Sequence, residues 1–216
     1  MSSSNKVERL GATFFDRGIH EVARDLVGRD LVRSISGKKR VGRITEVEVY
    51  EGANDRASHA RSGEPTERTR PMFAEPGTIY VYTIYGMYQC LNFRAPSRAG
   101  PGAILIRSCI PYQGRAEMAV DRGLVREASG YSEKLDKKLM SGPAKICQAL
   151  SIGTELSGSM VGEEVYVARG EPVWRVEPDR VMASVRVGLN RKTCGKCVDR
   201  KWRYLDGINL CSEDQQ

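Results

Sequence analysis

No run of apolar residues in the chain approaches the roughly 18 that a membrane span requires, and none follows the polar start Met1–Lys6. A soluble chain without a secretory leader is expected. Histidine is scarce, with two in 216 residues. A hydrolytic zinc centre needs three protein ligands, and no such constellation accompanies His59, so neither a metal nor another cofactor is expected. The six cysteines (Cys90, Cys109, Cys147, Cys194, Cys197, Cys211) are scattered. Without a leader they suit reduced thiols better than a disulfide framework. One pair, Cys194-Gly195-Lys196-Cys197, has metal-like spacing. It finds Cys211 but no evident fourth ligand, so free thiols are the expectation and structural zinc the alternative. Repeats and low-complexity tracts are lacking too, and a chain of this length suits one compact domain.

The formal charge is +7, and its placement is more telling than its size. Between Arg186 and Tyr204 stand seven basic residues and one acid. Interleaved with Trp202 and Tyr204, that stretch reads as a phosphate-binding surface; a solvated basic face without a partner is the plainer alternative.

Phe14, Phe15, Ile19, Val22, Ala23 and Leu26 recur at helical spacing, and Gly28 stands where a C-terminal cap would lie. Strands follow at Asp30–Arg33 and Arg43–Tyr50 around a turn at Ser36–Lys39. Residues 51–76 show no lasting period and read as a long ordered loop, a feature that often carries function. The run Thr78–Ile84, the reversal Tyr85-Gly86-Met87 and the run Tyr88–Phe93 predict a β-hairpin. A buried strand is expected at Ala103–Arg107, helices near 114–122 and 143–151, a surface loop over 123–138, and late strands at Val165–Val167 and Val181–Val185.

Alternation on the second strand puts Val47 and Val49 on one face and Ile44, Glu46, Glu48 and Tyr50 on the other. Two carboxylates and a phenol on one face suit either a solvated strand or a site, and periodicity does not choose between Glu46 and Glu48. At the hairpin tip, Tyr85 and Met87 cannot both be buried in a sheet. Projecting, they would form a wedge of the kind that unstacks a duplex; folded back, Tyr85 would be core. Tyr80 and Tyr82 share a strand face and offer rings for stacking. His59 lies in a polar loop, where a lone histidine is more often incidental than functional.

Three segments, Gly42–Tyr50, Asp55–Arg61 and Pro76–Tyr88, closely resemble the alkyladenine (3-methyladenine) DNA glycosylases. The likeness extends through Asn92, Arg107, Ser141–Lys145 with Cys147–Leu150, and Arg186-Val187-Gly188, covering nearly the whole span from Leu10 to Tyr204. It implies that Glu48 is the general base that polarises a water, with Arg107 and the backbone of Val187 holding that water and a phosphate. By the same likeness Tyr50, His59 and Tyr82 sandwich a flipped base, and Asn92 rejects the guanine amino group. Tyr85, with Met87 beside it, fills the gap in the stack. Thr66 and Lys145 are assigned to the DNA backbone, Lys145 because it stands at a helix start. The implied enzyme excises alkylated or deaminated purines by water alone, without strand cleavage. Its partner is double-stranded DNA, it works as a monomer, and it resides in a nucleus or a bacterial nucleoid. The rival reading is a non-catalytic duplex-binding module. The expected fold is α+β: one mixed domain over residues 10–206, between tails 1–9 and 207–216, with a curved, mainly antiparallel sheet, flanking helices and a protruding hairpin. The chain departs from the family at Leu189–Cys197, where a Gly/Tyr/Ala-rich turn is usual.

Overall fold

A computed structural model describes residues 8–124, 133–170 and 176–207. The outer parts of both tails, Cys211 and residues 125–132 of the expected loop lie outside them.

Helix-forming residues open the chain, but Gly18, extended at ψ 128°, divides them into α1 (Ala12–Phe15) and α2 (Ile19–Leu26). One helix was expected there; glycine is a poor helix former and gives the break. Helix α2 buries Ile19, Val22, Ala23 and Leu26 on one face. Gly28, at φ +86°, then turns the chain into β2 (Asp30–Ile35) and donates its N–H to the Ile44 carbonyl at 2.8 Å. Ser36 and Gly37, both at positive φ, form the two-residue turn into β3 (Lys38–Tyr50).

The remaining strands are β1 (Arg9–Leu10), β4 (Ile79–Ile84), β5 (Tyr88–Ser97), β6 (Gly100–Gln113), β7 (Val165–Ala168), β8 (Val181–Ser184) and β9 (Arg203–Asp206). Among the described residues they make one antiparallel sheet in the order β1-β7-β2-β3-β6-β5-β4, with β9 adding to β3 and β8 to β9. With helices on its core face, the domain is α+β, as expected. Strand β3 is central: its first half pairs with β2, Glu46–Glu48 pair with β9 on the same edge, and β6 runs along the other edge.

Simple alternation fails on β3 at one point. The β3–β6 register shifts on both sides of Glu46, and such an irregularity turns the side chains that precede it to the other face. Ile44 therefore joins Val47 and Val49 in the core, away from Glu48. The core also takes residues from α3 (Arg115–Asp121), α4 (Glu133–Met140) and α5 (Pro143–Ala149). Helix α4 replaces part of the expected surface loop: five of its eight residues are charged, yet Leu135, Leu139 and Met140 recur at helical spacing and are buried.

Candidate active site

Glu48 lies on the face of β3 opposite the core and is nevertheless fully buried, with Tyr50, Arg107 and the segment after β8 packed against its carboxyl group. An isolated buried carboxylate is costly; here each oxygen has a partner. Oε1 accepts the Val187 backbone N–H at 2.7 Å and lies 3.5 Å from the Arg107 Nε, and Oε2 accepts the Tyr50 hydroxyl at 2.7 Å. Burial still dominates and holds the Glu48 carboxyl above the ordinary glutamate range, with Arg107, the Val187 N–H and Tyr50 pulling it back and Glu46 adding to the rise. The buried Tyr50 phenol, beside that carboxylate, is raised too and keeps its proton.

Glu46 shares the face but not the environment. Its Oε1 accepts from Arg107 Nε at 2.9 Å and from Arg203 Nη1 at 3.0 Å. The backbone carbonyl of Arg107 meanwhile accepts the Gly142 N–H at 2.9 Å, which docks the start of α5, and with it Lys145, beside the middle of β6.

Tyr50, the partner of Glu48, also lines a cavity of about 180 Å³ together with Ala57, His59, Met72, Tyr80, Tyr82, Asn92, Ala103 and Leu189. It is smaller than the roughly 300–1,000 Å³ of drug-sized pockets, a size suited to a single flat ring system. His59 stands edge-on to Tyr82, with ring centroids 4.6 Å apart at 80°. Its Nδ1 is 2.9 Å from the Tyr80 hydroxyl, so Tyr80 supports His59 from a buried position instead of offering its ring as a stacking platform. Burial, reinforced by Arg68 and Arg61, takes the His59 pKa down to about 4. The imidazole is thus neutral at physiological pH. Asn92 is buried and gives both amide hydrogens to backbone carbonyls, those of Tyr80 at 3.0 Å and Cys90 at 3.2 Å. Held twice, it cannot swing aside.

A carboxylate that must be ionised to polarise water loses activity as pH falls through its pKa. If Glu48 is the base that the family resemblance implies, its raised pKa and the lowered pKa of His59 give one acid limb in the pH–rate profile, above the range of an ordinary glutamate and owed to Glu48. Single-turnover excision measured across pH checks this; a limb that survives in Glu48→Gln contradicts it.

The hairpin tip projects. Tyr85 is 86% exposed and Met87 63%, and Tyr85 (φ +51°) and Gly86 (φ +71°) form the tight reversal. Thr66 is exposed, its hydroxyl 2.9 Å from that of Thr69 within the long loop. The basic stretch divides by burial. Arg191, Lys192, Lys196 and Lys201 are exposed, whereas Arg203 turns to Glu46 and Arg186 is buried against Asp55. Part of the presumed phosphate surface is therefore internal scaffolding. In the divergent segment, Leu189 lines the cavity and Asn190 caps α6 (Arg191–Cys194) through the Lys192 N–H at 2.8 Å. Cys194 and Cys197 are buried free thiols, and among the described residues no three His, Cys, Asp or Glu side chains gather as a metal site. No helix among the described residues is long and apolar enough to cross a membrane.

The sequence reading missed the wall residues Ala57, Met72, Ala103 and Leu189, small or aliphatic side chains that carry no chemical signature. It also missed Asp55, whose only signal was its place at the head of the segment that carries His59.

Residues 13–209 match the methylpurine-DNA glycosylase family. A Clostridium perfringens protein provisionally named a 3-methyladenine DNA glycosylase is 43% identical over 201 residues, covering 91% of this chain and 94% of that one. The Homo sapiens DNA-3-methyladenine glycosylase is 40% identical over 192 residues, 87% of this chain and 63% of the human one. The Mus musculus DNA-3-methyladenine glycosylase is also 40% identical, over 200 residues, 91% of this chain and 58% of that one.

Proposed function

Because the chain belongs to the methylpurine-DNA glycosylase family, we propose that it swings an alkylated purine out of duplex DNA into the cavity beside Glu48 and hydrolyses its bond to the sugar with a water that Glu48 polarises. It is a DNA repair glycosylase of alkylated bases, with DNA as its substrate. The observation that carries the mechanism is the buried Glu48, held by Val187, Tyr50 and Arg107 at the edge of an aromatic cavity. A non-catalytic duplex-binding module has no use for a desolvated carboxylate in that position.

Each residue then has a task. The target bond is inaccessible inside the stack, so the nucleotide must leave it, at least cost where the base is damaged. Tyr85, with Met87 beside it, enters the gap. Tyr50, His59 and Tyr82 enclose the base; N3- or N7-alkylated purines are cationic, and aromatic faces in a dry pocket attract cations by up to about 2 kcal/mol. The clamped Asn92 crowds the ring edge that carries the guanine amino group and so disfavours unmodified guanine, a penalty that the weakened glycosidic bond of 7-methylguanine offsets. An alkylated purine is already a good leaving group, so the main work is to orient water and to stabilise a sugar with oxocarbenium character, to which an anionic carboxylate is suited. Arg107, which spends its Nε on Glu46 and Glu48, presents the rest of its guanidinium to a phosphate. Thr66 and Lys145 meet the backbone. The substrates are 3-methyladenine and 7-methylguanine, with hypoxanthine and ethenoadenine as further candidates, and the enzyme acts as a monomer wherever DNA is held, nucleus or nucleoid.

Among the described residues no lysine lines the cavity, which supports base excision by water without lyase chemistry. The test uses an end-labelled duplex bearing 3-methyladenine or 7-methylguanine. Free base should be released and strand breaks should appear only after alkali; breaks without alkali overturn the hydrolytic step, and no release overturns the glycosylase reading of the site.

A further inference from the structure

We infer that Arg186 and Asp55 form a buried positioning pair that holds the hydrolytic carboxylate and the base cavity in one register, an inference that rests on the function proposed above. Both side chains are fully buried (0% exposed) and joined in a two-pronged ion pair, Nη1 to Oδ2 at 2.6 Å and Nη2 to Oδ1 at 2.9 Å. The same guanidinium donates to the Val49 carbonyl at 2.9 Å and to the Cys197 carbonyl at 3.3 Å. Two regions distant in sequence, residues 49–55 and 186–197, thus meet on one planar group.

What those pieces carry gives the pair its role. Val49 lies between Glu48 and Tyr50. The amide that follows Arg186 is the Val187 N–H, 2.7 Å from Glu48 Oε1. Asp55 Oδ1 accepts the Ala57 N–H at 3.2 Å, and the Asp55 carbonyl accepts the Ser58 N–H at 2.9 Å, shaping the turn that delivers Ala57 and His59 to the cavity. The guanidinium also lies over the rings of Tyr50 and Trp202, 4.8 and 5.1 Å from their centroids. Arg186 therefore reaches both the water-polarising group and the walls of the base cavity without lining that cavity, and acts through Tyr50 and Val187.

Energetics point the same way. A buried ion pair is no more stabilising than well-packed apolar side chains of similar volume, and this one leaves the Arg186 Nε buried without a partner. What it supplies is direction: a rigid fork with fixed donors, which lysine lacks.

The test separates positioning from mere folding. The charged and titratable groups facing Glu48 are Arg107, Tyr50 and Glu46, and none is altered. Arg186→Lys keeps a cation opposite Asp55 but cannot hold all four acceptors. With the Val187 N–H displaced, Glu48 loses a hydrogen bond that favours its ionised form. The acid limb of single-turnover excision should rise by about one pH unit, the equivalent of one net hydrogen bond. The rate at neutral pH should fall about 100-fold, the cost of an ångström-scale misplacement. Should Arg186→Lys fail to fold, the double variant Arg186→Met with Asp55→Asn, which leaves no unpaired buried charge, carries the same expectation. A folded variant whose acid limb stays in place, whether its rate is unchanged or falls only with the folded fraction, overturns the inference. An inactive wild type overturns the glycosylase mechanism instead.

Discussion

Glu48→Gln is expected to remove excision of 3-methyladenine while leaving binding of the lesion duplex within a few-fold of wild type. Glutamine has the same shape, and its carbonyl can still accept the Val187 N–H that now lies 2.7 Å from Oε1. The cavity walls, the hairpin and the exposed cations are untouched, so recognition should persist. What disappears is basicity and negative charge beside the anomeric carbon. General-base catalysis contributes about 10²- to 10⁴-fold, and losses in that range are anticipated under single-turnover conditions with enzyme in excess. If affinity collapsed together with rate, Glu48 would be a structural residue and the hydrolytic assignment would fail.

Tyr85→Ser should act on the opposite step. The side chain is 86% exposed at the tip of the β4–β5 turn, so its removal opens no cavity and breaks no core contact. Serine tolerates the turn at least as well as tyrosine, whose φ of +51° lies in the left-handed region. Folding should be unaffected. Unstacking a base step costs roughly a few kcal/mol, and a wedge that offsets one to three of them is worth about 5- to 150-fold in affinity. Lesion-duplex affinity should fall by that factor, while the cleavage rate of bound lesion in a single strand, where no stacked gap needs filling, should change little. Equal losses on both substrates would show that Tyr85 supports the fold or the chemistry and is not a wedge.

The legible part of this protein was whatever short-range pattern controls. Alternation placed Glu48 and Tyr50 on one face of β3, and the structure joins them at 2.7 Å. The strong strand runs around Tyr85-Gly86-Met87 gave the hairpin and its exposed tip. Where a single residue changes the count, the pattern misled: register shifts around Glu46 carried Ile44 into the core, and Gly18 cut one helix into two. Composition misled elsewhere. The lysines and acids of α4 masked Leu135, Leu139 and Met140, and the basic run after residue 185 hid the difference between exposed lysines and the interior Arg186 and Arg203. Long-range contacts had no local signal at all. The Val187 N–H that steadies Glu48 comes from 139 residues away, and Asp55 is separated from Arg186 by 131. A family resemblance implied roles for Val187 and Asn92, but only three-dimensional packing reveals their settings: an amide aimed at a buried oxygen, and a side-chain amide clamped by two carbonyls.

Glu46 and Glu48 stand two residues apart on the same strand face, and the account assigns the chemistry to one alone. Glu46 is ion-paired through Oε1 to Arg107 and Arg203 at 2.9 and 3.0 Å, so it orients Arg107, whereas Glu48 is the one held in the desolvated position beside Tyr50 and the Val187 N–H. The most direct measurement is therefore the single-turnover excision of 3-methyladenine by Glu46→Gln and Glu48→Gln side by side, with lesion binding recorded for both. Glu46→Gln should lose about tenfold or less, the worth of a weakened hydrogen bond to Arg107, whereas Glu48→Gln should lose orders of magnitude more at similar affinity. Equal losses in the two variants, or a Glu48→Gln as active as wild type, would contradict the assignment of Glu48 as the group that polarises water.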